Sequence, residues 1–276
     1  MEAAMQADAY FAIGQSHLVC EDYARAGLAK SGAGFAVVSD GCSSSTDTDV
    51  GARLIALATE SSIHGAGLPL THKDLEAVAG QAREGIRGLD MGSSCLDATL
   101  LAAHASSGTV NIVVVGDGAV VGRRQGGELE VWESDFGGMP AYLSYLLEPA
   151  QLEGYLGEGL ARRKVVHSLA GEQISVDERD ISPSSFAWWL TLDAAIYDLI
   201  LLFSDGVSSF CTRSIRGESL AVPLEAVVAE VASLKTTTGR FLTRRCRRFL
   251  GRFCTANNWH HADDFSVAGL YLGGGS

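Results

Sequence analysis

No apolar run in the 276-residue chain approaches the roughly 20 residues that a membrane-spanning helix needs. The start, Met1-Glu2-Ala3-Ala4, lacks the basic-then-apolar order of a secretory signal. A cytoplasmic protein with no membrane partner is the expectation. The six cysteines are scattered and form no Cys-x-x-Cys pair, which argues against a zinc ribbon or a disulfide framework and fits reduced thiols. Basic residues are short, 21 Lys and Arg against 33 Asp and Glu, for a net charge of −12. That balance argues against a nucleic-acid partner, because phosphate backbones are bound chiefly by neutralising them with Lys and Arg.

Hydrophobic residues make up 47% of the chain, ample for one packed core. No repeat or boundary divides it, so one domain over residues 1–272 is expected, with the Gly-rich 273–276 as a frayed end or a linker scar. From Asp22 to Ala58 the pattern reads strand, Gly-rich turn, strand, loop, helix, with Thr48 or Asp49 available as a cap. Thr71 and Asp74 form a capping-box spacing ahead of an apolar stripe of Leu75, Val78, Ala82, Ile86 and Leu89. "TVNIVVVGDGAVVGRR" reads as two strands joined by a hairpin turn at Asp117-Gly118. Residues 128–187 are irregular, with loops at 137–140 and 182–185 and a weakly helical, mobile excursion between them. "FAWWLTL" and "YDLILLFSDGVSSF" read as buried strands, and the chain from there to Phe253 as helical. In its last part Leu242, Cys246, Phe249, Leu250 and Phe253 share a face, and six arginines between 240 and 252 occupy the rest. "DDFSVAGLYL" closes the chain as a strand.

The acids fall at strand ends. Glu21 and Asp22 start one strand, Asp40 and Asp205 end two others in Ser-Asp-Gly, and Asp263 and Asp264 start the last. In an antiparallel sheet the end of one strand lies beside the start of its neighbour, so these carboxylates can gather at one edge. Such a cluster is stable chiefly when a cation neutralises it. An all-oxygen set selects hard ions, Mg²⁺ or Mn²⁺, over zinc. Gly41 lets the backbone approach an ion or a phosphate, and its carbonyl is itself a possible ligand. Each Asp-Gly taken alone is a turn signal. Two strands closing in Ser-Asp-Gly, with acids leading two more, are hard to read as four independent turns.

In order along the chain, "CEDY", "VVSDGCSSS…VGARLIA", "CLDATLLAA", "VVVGDGAVVGRR", "LLFSDGVSSF" and "DDFSVAGLYL" resemble the motifs of the metal-dependent type 2C Ser/Thr protein phosphatases. Each motif is short, but six in the right order and spacing are specific. The resemblance implies an α+β fold, a four-layer α-β-β-α sandwich of two antiparallel sheets flanked by helices. It implies two Mn²⁺ or Mg²⁺ ions, with Asp40 bridging both, the Gly41 carbonyl on one, Asp205 and Asp263 on the other, and Glu21 and Asp22 acting close by, partly through waters. Asp117 matches a position associated with a third ion, and Asp264 stands beside Asp263 as an alternative ligand. The implied reaction is hydrolysis of phosphoserine and phosphothreonine monoesters by a hydroxide bridging the metals, with Asp40, Asp205 and His17 in catalytic roles. Implied partners are a phosphoprotein substrate and a cognate Ser/Thr kinase, and the protein itself is expected to be a monomer.

The chain departs from the pattern in places. His17 stands where many members have an Arg that grips substrate phosphate, and it offers a weaker, pH-dependent contact. Cys42 follows Asp40-Gly41 where the best-studied relatives have a His, which reads as a small buried Cys supporting the loop and leaves metal-bound water or His17 to protonate the leaving group. Gly118-Ala119 replaces a Ser-Arg. The arginine-rich segment reads either as a solvated face or as a dock for an acidic partner. Two rival functions are a phosphatase-like binding protein and a metal phosphoesterase acting on a small molecule.

Overall fold

The computed structural model describes residues 4–66, 69–157, 161–213 and 219–273; the expected tail beyond Gly273 lies outside them. In chain order the strands and helices are β1 (Gln6–Ala12), β2 (Asp22–Leu28), β3 (Gly34–Asp40), α1 (Thr48–Ala66), α2 (His72–Gly88), β4 (Leu100–Ser106), β5 (Thr109–Val115), β6 (Gly118–Arg124), β7 (Leu129–Asp135), α3 (Pro149–Gly157), β8 (Arg162–Leu169) and β9 (Glu172–Asp180). They continue with β10 (Trp188–Asp193), β11 (Tyr197–Phe203), β12 (Phe210–Arg213), β13 (Ser219–Ala221), α4 (Leu224–Ala232), α5 (Phe241–Arg248), β14 (Trp259–His261) and β15 (Phe265–Tyr271).

Two antiparallel sheets form the centre, a seven-stranded one ordered β1-β15-β11-β6-β7-β8-β9 and a five-stranded one ordered β10-β5-β4-β3-β2. Both sheets are covered on two sides, which is why their central strands read as unbroken apolar runs. In β3, Ala36 and Val38 pack into the core between the sheets, while Phe35 and Val37 pack with α1 and α2. In β11, Ile200 and Leu202 enter the same central core, while Leu199, Leu201 and Phe203 pack with α4 and α5. This period-two split builds the expected four layers from single strands. A small sheet, β13-β12-β14, is added, with Phe210 of β12 in the same core as residues of α4 and α5.

Several expectations are corrected. Asp117-Gly118 is not a hairpin turn: β5 lies in the five-stranded sheet and β6 in the seven-stranded one, so the dipeptide crosses between them. Gly116 and Gly118 have φ of 87° and 142°, values that suit glycine, and the crossing needs them. Residues 128–187 are no excursion, since β7, β8 and β9 extend the larger sheet, although a short helix, α3, does lie between. The stretch after β11 holds β12 and β13 before its helices begin. Leu89 caps the end of α2 and is exposed, and β10 is a half-exposed edge strand with Leu192 its buried side chain. The capping box of α2 is present. At α1 the Thr48 hydroxyl leaves the helix and donates to Glu21 Oε1 at 2.9 Å.

In α5 and its continuation, Leu242, Cys246 and Phe249 are buried, whereas Leu250 and Phe253 are half-buried. The helix widens to a π turn over Phe249–Cys254, which brings Cys254 back to the core. Arg245 pairs with Glu230, while Arg240, Arg247, Arg248 and Arg252 are exposed with no carboxylate partner among the described residues.

Candidate active site

The topology brings the acids to one end of the sandwich. Asp22 and Asp40 are cross-strand partners in β2 and β3. Asp205 follows β11 and Asp263 precedes β15, its antiparallel neighbour. Asp117 arrives between them on the crossing from one sheet to the other. Asp40, Gly41, Asp117, Asp205 and Asp263 line one cleft of about 320 Å³, with Cys42, Thr99 and Tyr142 on its wall.

The two Ser-Asp-Gly turns are built alike. In each, the serine fastens the turn and the glycine admits a neighbour. Ser39 Oγ donates to the Thr99 carbonyl at 2.8 Å, and Ser204 Oγ donates to Asp22 Oδ2 at 2.7 Å. A Cβ on Gly41 would meet Thr48 Cβ at 2.7 Å, and one on Gly206 would collide with the Asp264 carbonyl oxygen. Asp97 secures the loop after Gly41, accepting Ser45 Oγ at 2.9 Å and Ser144 Oγ at 2.6 Å.

The carboxylates at the cleft are short of counter-charge. Burial pushes Asp22 up to about 7, and burial with the charges of Asp22 and Asp205 raises Asp40 well above the ordinary range. Asp205 is raised by burial and by Asp263. Asp117 is pushed to about 8 by burial, then by Asp205 and Asp135. Oδ1 of Asp22 and Oδ1 of Asp117 are buried without a hydrogen-bond partner, which costs free energy unless a cation or donor meets them. Hard oxygen donors, orphaned carboxylate atoms and mutually raised acids fit divalent cations.

Asp263 and Asp264 separate by environment. Asp263 lines the cleft with its side chain 41% exposed, while that of Asp264 is 2% exposed. Asp264 accepts the Gly14 amide at 2.7 Å and the Glu21 amide at 2.6 Å, tying the segment that leads into β2 to the start of β15. His17 sits between them, with Nε2 3.2 Å from Asp263 Oδ1. Its Nδ1 is 3.1 Å from Asp264 Oδ2, at ion-pair distance though not directed for a hydrogen bond. Burial lowers the pKa of His17, but Asp264, Asp263 and Glu21 outweigh it and raise the ring above its ordinary value. Both ring nitrogens therefore face carboxylates. Ligand atoms of His17, Glu21 and Asp264 lie within 4.8 Å of one another, but two backbone amides already hold Asp264.

Cys42 is half-buried on the cleft wall rather than packed in the core. Burial raises its thiol, but hydrogen bonds with Ser44 and Tyr142 prevail and leave it below its ordinary value. Glu133 and Asp135 on β7 also face the cleft's continuation and were not foreseen. Their signal was the alternation in "LEVWESD", Val131 inward and Glu133 on the same face, readable only once the strand is recognised.

A sequence profile of the family described as Protein phosphatase 2C matches residues 13–250. The chain belongs to that family. Among solved structures it is similar to a bacterial serine phosphatase, at 14% identity, 99% coverage of both chains and a TM-score of 0.61. It is also similar to the serine/threonine phosphatase Stp1 from Staphylococcus aureus, at 13% identity, 99% and 97% coverage and a TM-score of 0.59. A serine/threonine phosphatase of S. agalactiae matches at 15% identity, 97% and 99% coverage and a TM-score of 0.56. No curated protein matches the sequence. Among the described residues no helix is long and apolar enough to cross a membrane.

Proposed function

We propose that this protein is a divalent-metal-dependent phosphatase that removes phosphate from serine and threonine side chains of proteins. The observation that carries the reading is the convergence of Asp22 and Asp40 from one sheet with Asp205 and Asp263 from the other at one cleft, where desolvation and mutual charge raise Asp22, Asp40 and Asp205. Membership of the protein phosphatase 2C family supports it. Asp22, Asp40, the Gly41 carbonyl, Asp205 and Asp263 would hold two ions, Mn²⁺ or Mg²⁺. Bound there, the ions supply positive charge for the phosphoryl oxygens and an acidified water for attack on phosphorus.

The chain's own residues set this up. Ser204 fixes Asp22 behind Asp40, the Thr99 hydroxyl receives the Asp40 amide at 3.2 Å, and the serine-anchored turns aim both Ser-Asp-Gly acids into one cleft. His17 balances the charge of Asp263 and Asp264. Neither a serine nor a cysteine nucleophile is needed. A cytoplasmic monomer whose phosphoprotein substrates come from a Ser/Thr kinase completes the reading.

The test is hydrolysis of p-nitrophenyl phosphate and of a phosphothreonine peptide with Mn²⁺, with and without chelator. Chelation should abolish both activities, and Asp40→Ala or Asp205→Ala should lower kcat/KM by about 10³-fold, the loss expected when several kcal/mol of charge stabilisation goes. Metal-independent turnover, or full activity in both variants, would refute the reading. Turnover of the small ester with none of any phosphopeptide would favour a small-molecule phosphoesterase.

A further inference from the structure

The acids of the chain leave one long gap. No Asp or Glu occurs from 231 to 262, and Lys235 with the six arginines between 240 and 252 falls inside that gap, in a protein whose net charge is −12. The arginines are carried by α5 and its π continuation. Arg240, Arg244, Arg247 and Arg248 recur at the spacing of one helix face, Arg252 follows a turn later, and all five are exposed.

Arginines elsewhere are satisfied. Among those whose side chains are described, Arg25, Arg83, Arg87, Arg123, Arg124, Arg162 and Arg179 each meet a carboxylate. Arg53 lies over the Tyr23 ring, and Arg163 is buried and donates to the Ser185 carbonyl. The five exposed arginines of the stripe have no carboxylate partner among the described residues. Arg244 donates only to neutral groups, Thr236 Oγ1 and the Thr238 carbonyl, both at 2.8 Å. Two acids that touch the helix are already engaged: Asp8 accepts the Thr243 amide at 2.7 Å and its hydroxyl at 3.0 Å, and Glu230 pairs with Arg245.

The stripe stands on a fixed support, because Phe241, Leu242, Cys246, Phe249 and Cys254 anchor the opposite face in the core. The start of α5 is tied to Asp8 near the beginning of β1, which pairs with the end of β15 and so lies away from Asp263 and the cleft. From Arg240 to Arg252 the stripe runs about 18 Å at the helical rise, a length that about five or six residues of extended chain cover. Its guanidinium groups succeed one another turn by turn. Such spacing matches carboxylates distributed along a chain, whereas a single phosphate takes several donors converging on one point. A nucleic acid or an anionic membrane would carry its charge past the stripe onto a molecule that is acidic overall.

We infer that the exposed face of α5 docks a short Asp- and Glu-rich segment of a protein partner through guanidinium–carboxylate pairs. The face lies outside the cleft, so docking there is separate from the phosphatase reading. Fixed guanidinium forks facing a mobile acidic chain select it by charge complementarity, and their effect falls as salt screens them.

The experiment is fluorescence anisotropy of a short labelled Glu-rich peptide added to the whole protein. Beside it stand the same peptide with Gln for Glu, the Gln peptide carrying one phosphoserine, a DNA duplex, and co-sedimentation with phosphatidylserine vesicles. The Glu peptide should bind saturably, more tightly than the other probes, and more weakly as salt rises. Arg247→Ala together with Arg248→Ala should weaken it by about tenfold or more, the factor that corresponds to about 1.4 kcal/mol. The same pair changed to Lys should fall between, since an ammonium keeps the charge and loses the fork. Arg162→Ala, at an exposed arginine of β8, should leave binding unchanged. Circular dichroism checks that the variants fold, and the wild-type contrast between Glu and Gln peptides decides the matter if they do not. No saturable binding of the Glu peptide, or binding untouched in the double Ala variant, would overturn the inference. Tighter binding of the phosphoserine peptide, the duplex or the vesicles would also overturn it, because the stripe would then serve a different anion.

Discussion

Adjacent aspartates with one side chain chemistry do different work here. Asp264 holds two backbone amides and is buried, while Asp263 bonds its neighbour's amide at 2.8 Å and faces the cleft. Removing a buried acceptor leaves its donors unpaired, at about 1–3 kcal/mol. Asp264→Ala should therefore lower the stability of the metal-free protein by about 2 kcal/mol or more in denaturant unfolding. Asp263→Ala should leave that stability within about 0.5 kcal/mol and weaken Mn²⁺ binding instead. The sequence placed both acids at the head of one strand, but which one meets the cleft is set by the Gly14 and Glu21 amides that hold Asp264, from distant parts of the chain. The Ser-Asp-Gly pair was legible because both its strands are apolar and end abruptly. His17 was legible as a position in a motif. Its surroundings were not, since Asp263 and Asp264 lie almost the whole chain away in sequence. Because those acids raise its pKa, charged His17 stabilises the fold fully below its ordinary titration range, and that contribution is lost as pH rises through the raised value. The stability lost in a metal-free His17→Gln variant should thus be larger at pH 6 than at pH 9; an equal loss at both would contradict the ion-pair role.

At the scale of elements, function depends on chain crossings and close approaches. Gly206 leaves no room for a side chain against Asp264, and Gly51 on α1 leaves none against the Cys95 carbonyl. Both contacts are with backbone, which cannot rotate away. Gly206→Ala should destabilise the fold by about 2 kcal/mol or more, beyond the usual cost of overpacking at its lower end, measured by chemical denaturation; a neutral effect would show that the β11 turn can move away from β15. Helices α1 and α2 were readable because each covers one face and keeps a helical period. Strand β9 was not, because every residue in it is exposed and the hydrophobic alternation that marks a strand is missing. The crossing at Asp117 was misread because a local Asp-Gly signal is the same whether the next strand pairs with the last one or joins another sheet.

The whole molecule carries its excess of acid partly on the surface and partly in the buried cluster at the sheet ends. For Asp22, raised to about 7, and Asp117, raised to about 8, the unfolded chain ionises near pH 4 while the fold holds the proton longer. Their contribution to stability is present below that range and is lost as pH rises through the folded values. The metal-free protein should therefore melt at progressively lower temperature from pH 5 to pH 8.5, and Mn²⁺ should raise the Tm more at the upper end than at the lower. A flat Tm across that range would count against the cluster's charge deficit. The four-layer order was legible at this scale because doubly covered strands and amphipathic helices follow one another in a recognisable sequence of motifs, whereas Glu133 and Asp135 at the cleft's continuation lie on β7, inside the stretch that reads as irregular. The most direct measurement is calorimetric titration of Mn²⁺ into chelator-treated protein at pH 7, beside Asp40→Asn and in buffers of different ionisation enthalpy. The prediction is saturable uptake of about two ions with release of protons from the raised carboxyls, and its loss in the variant. No saturable heat, or identical binding in Asp40→Asn, would contradict the assignment of these carboxylates as a metal centre.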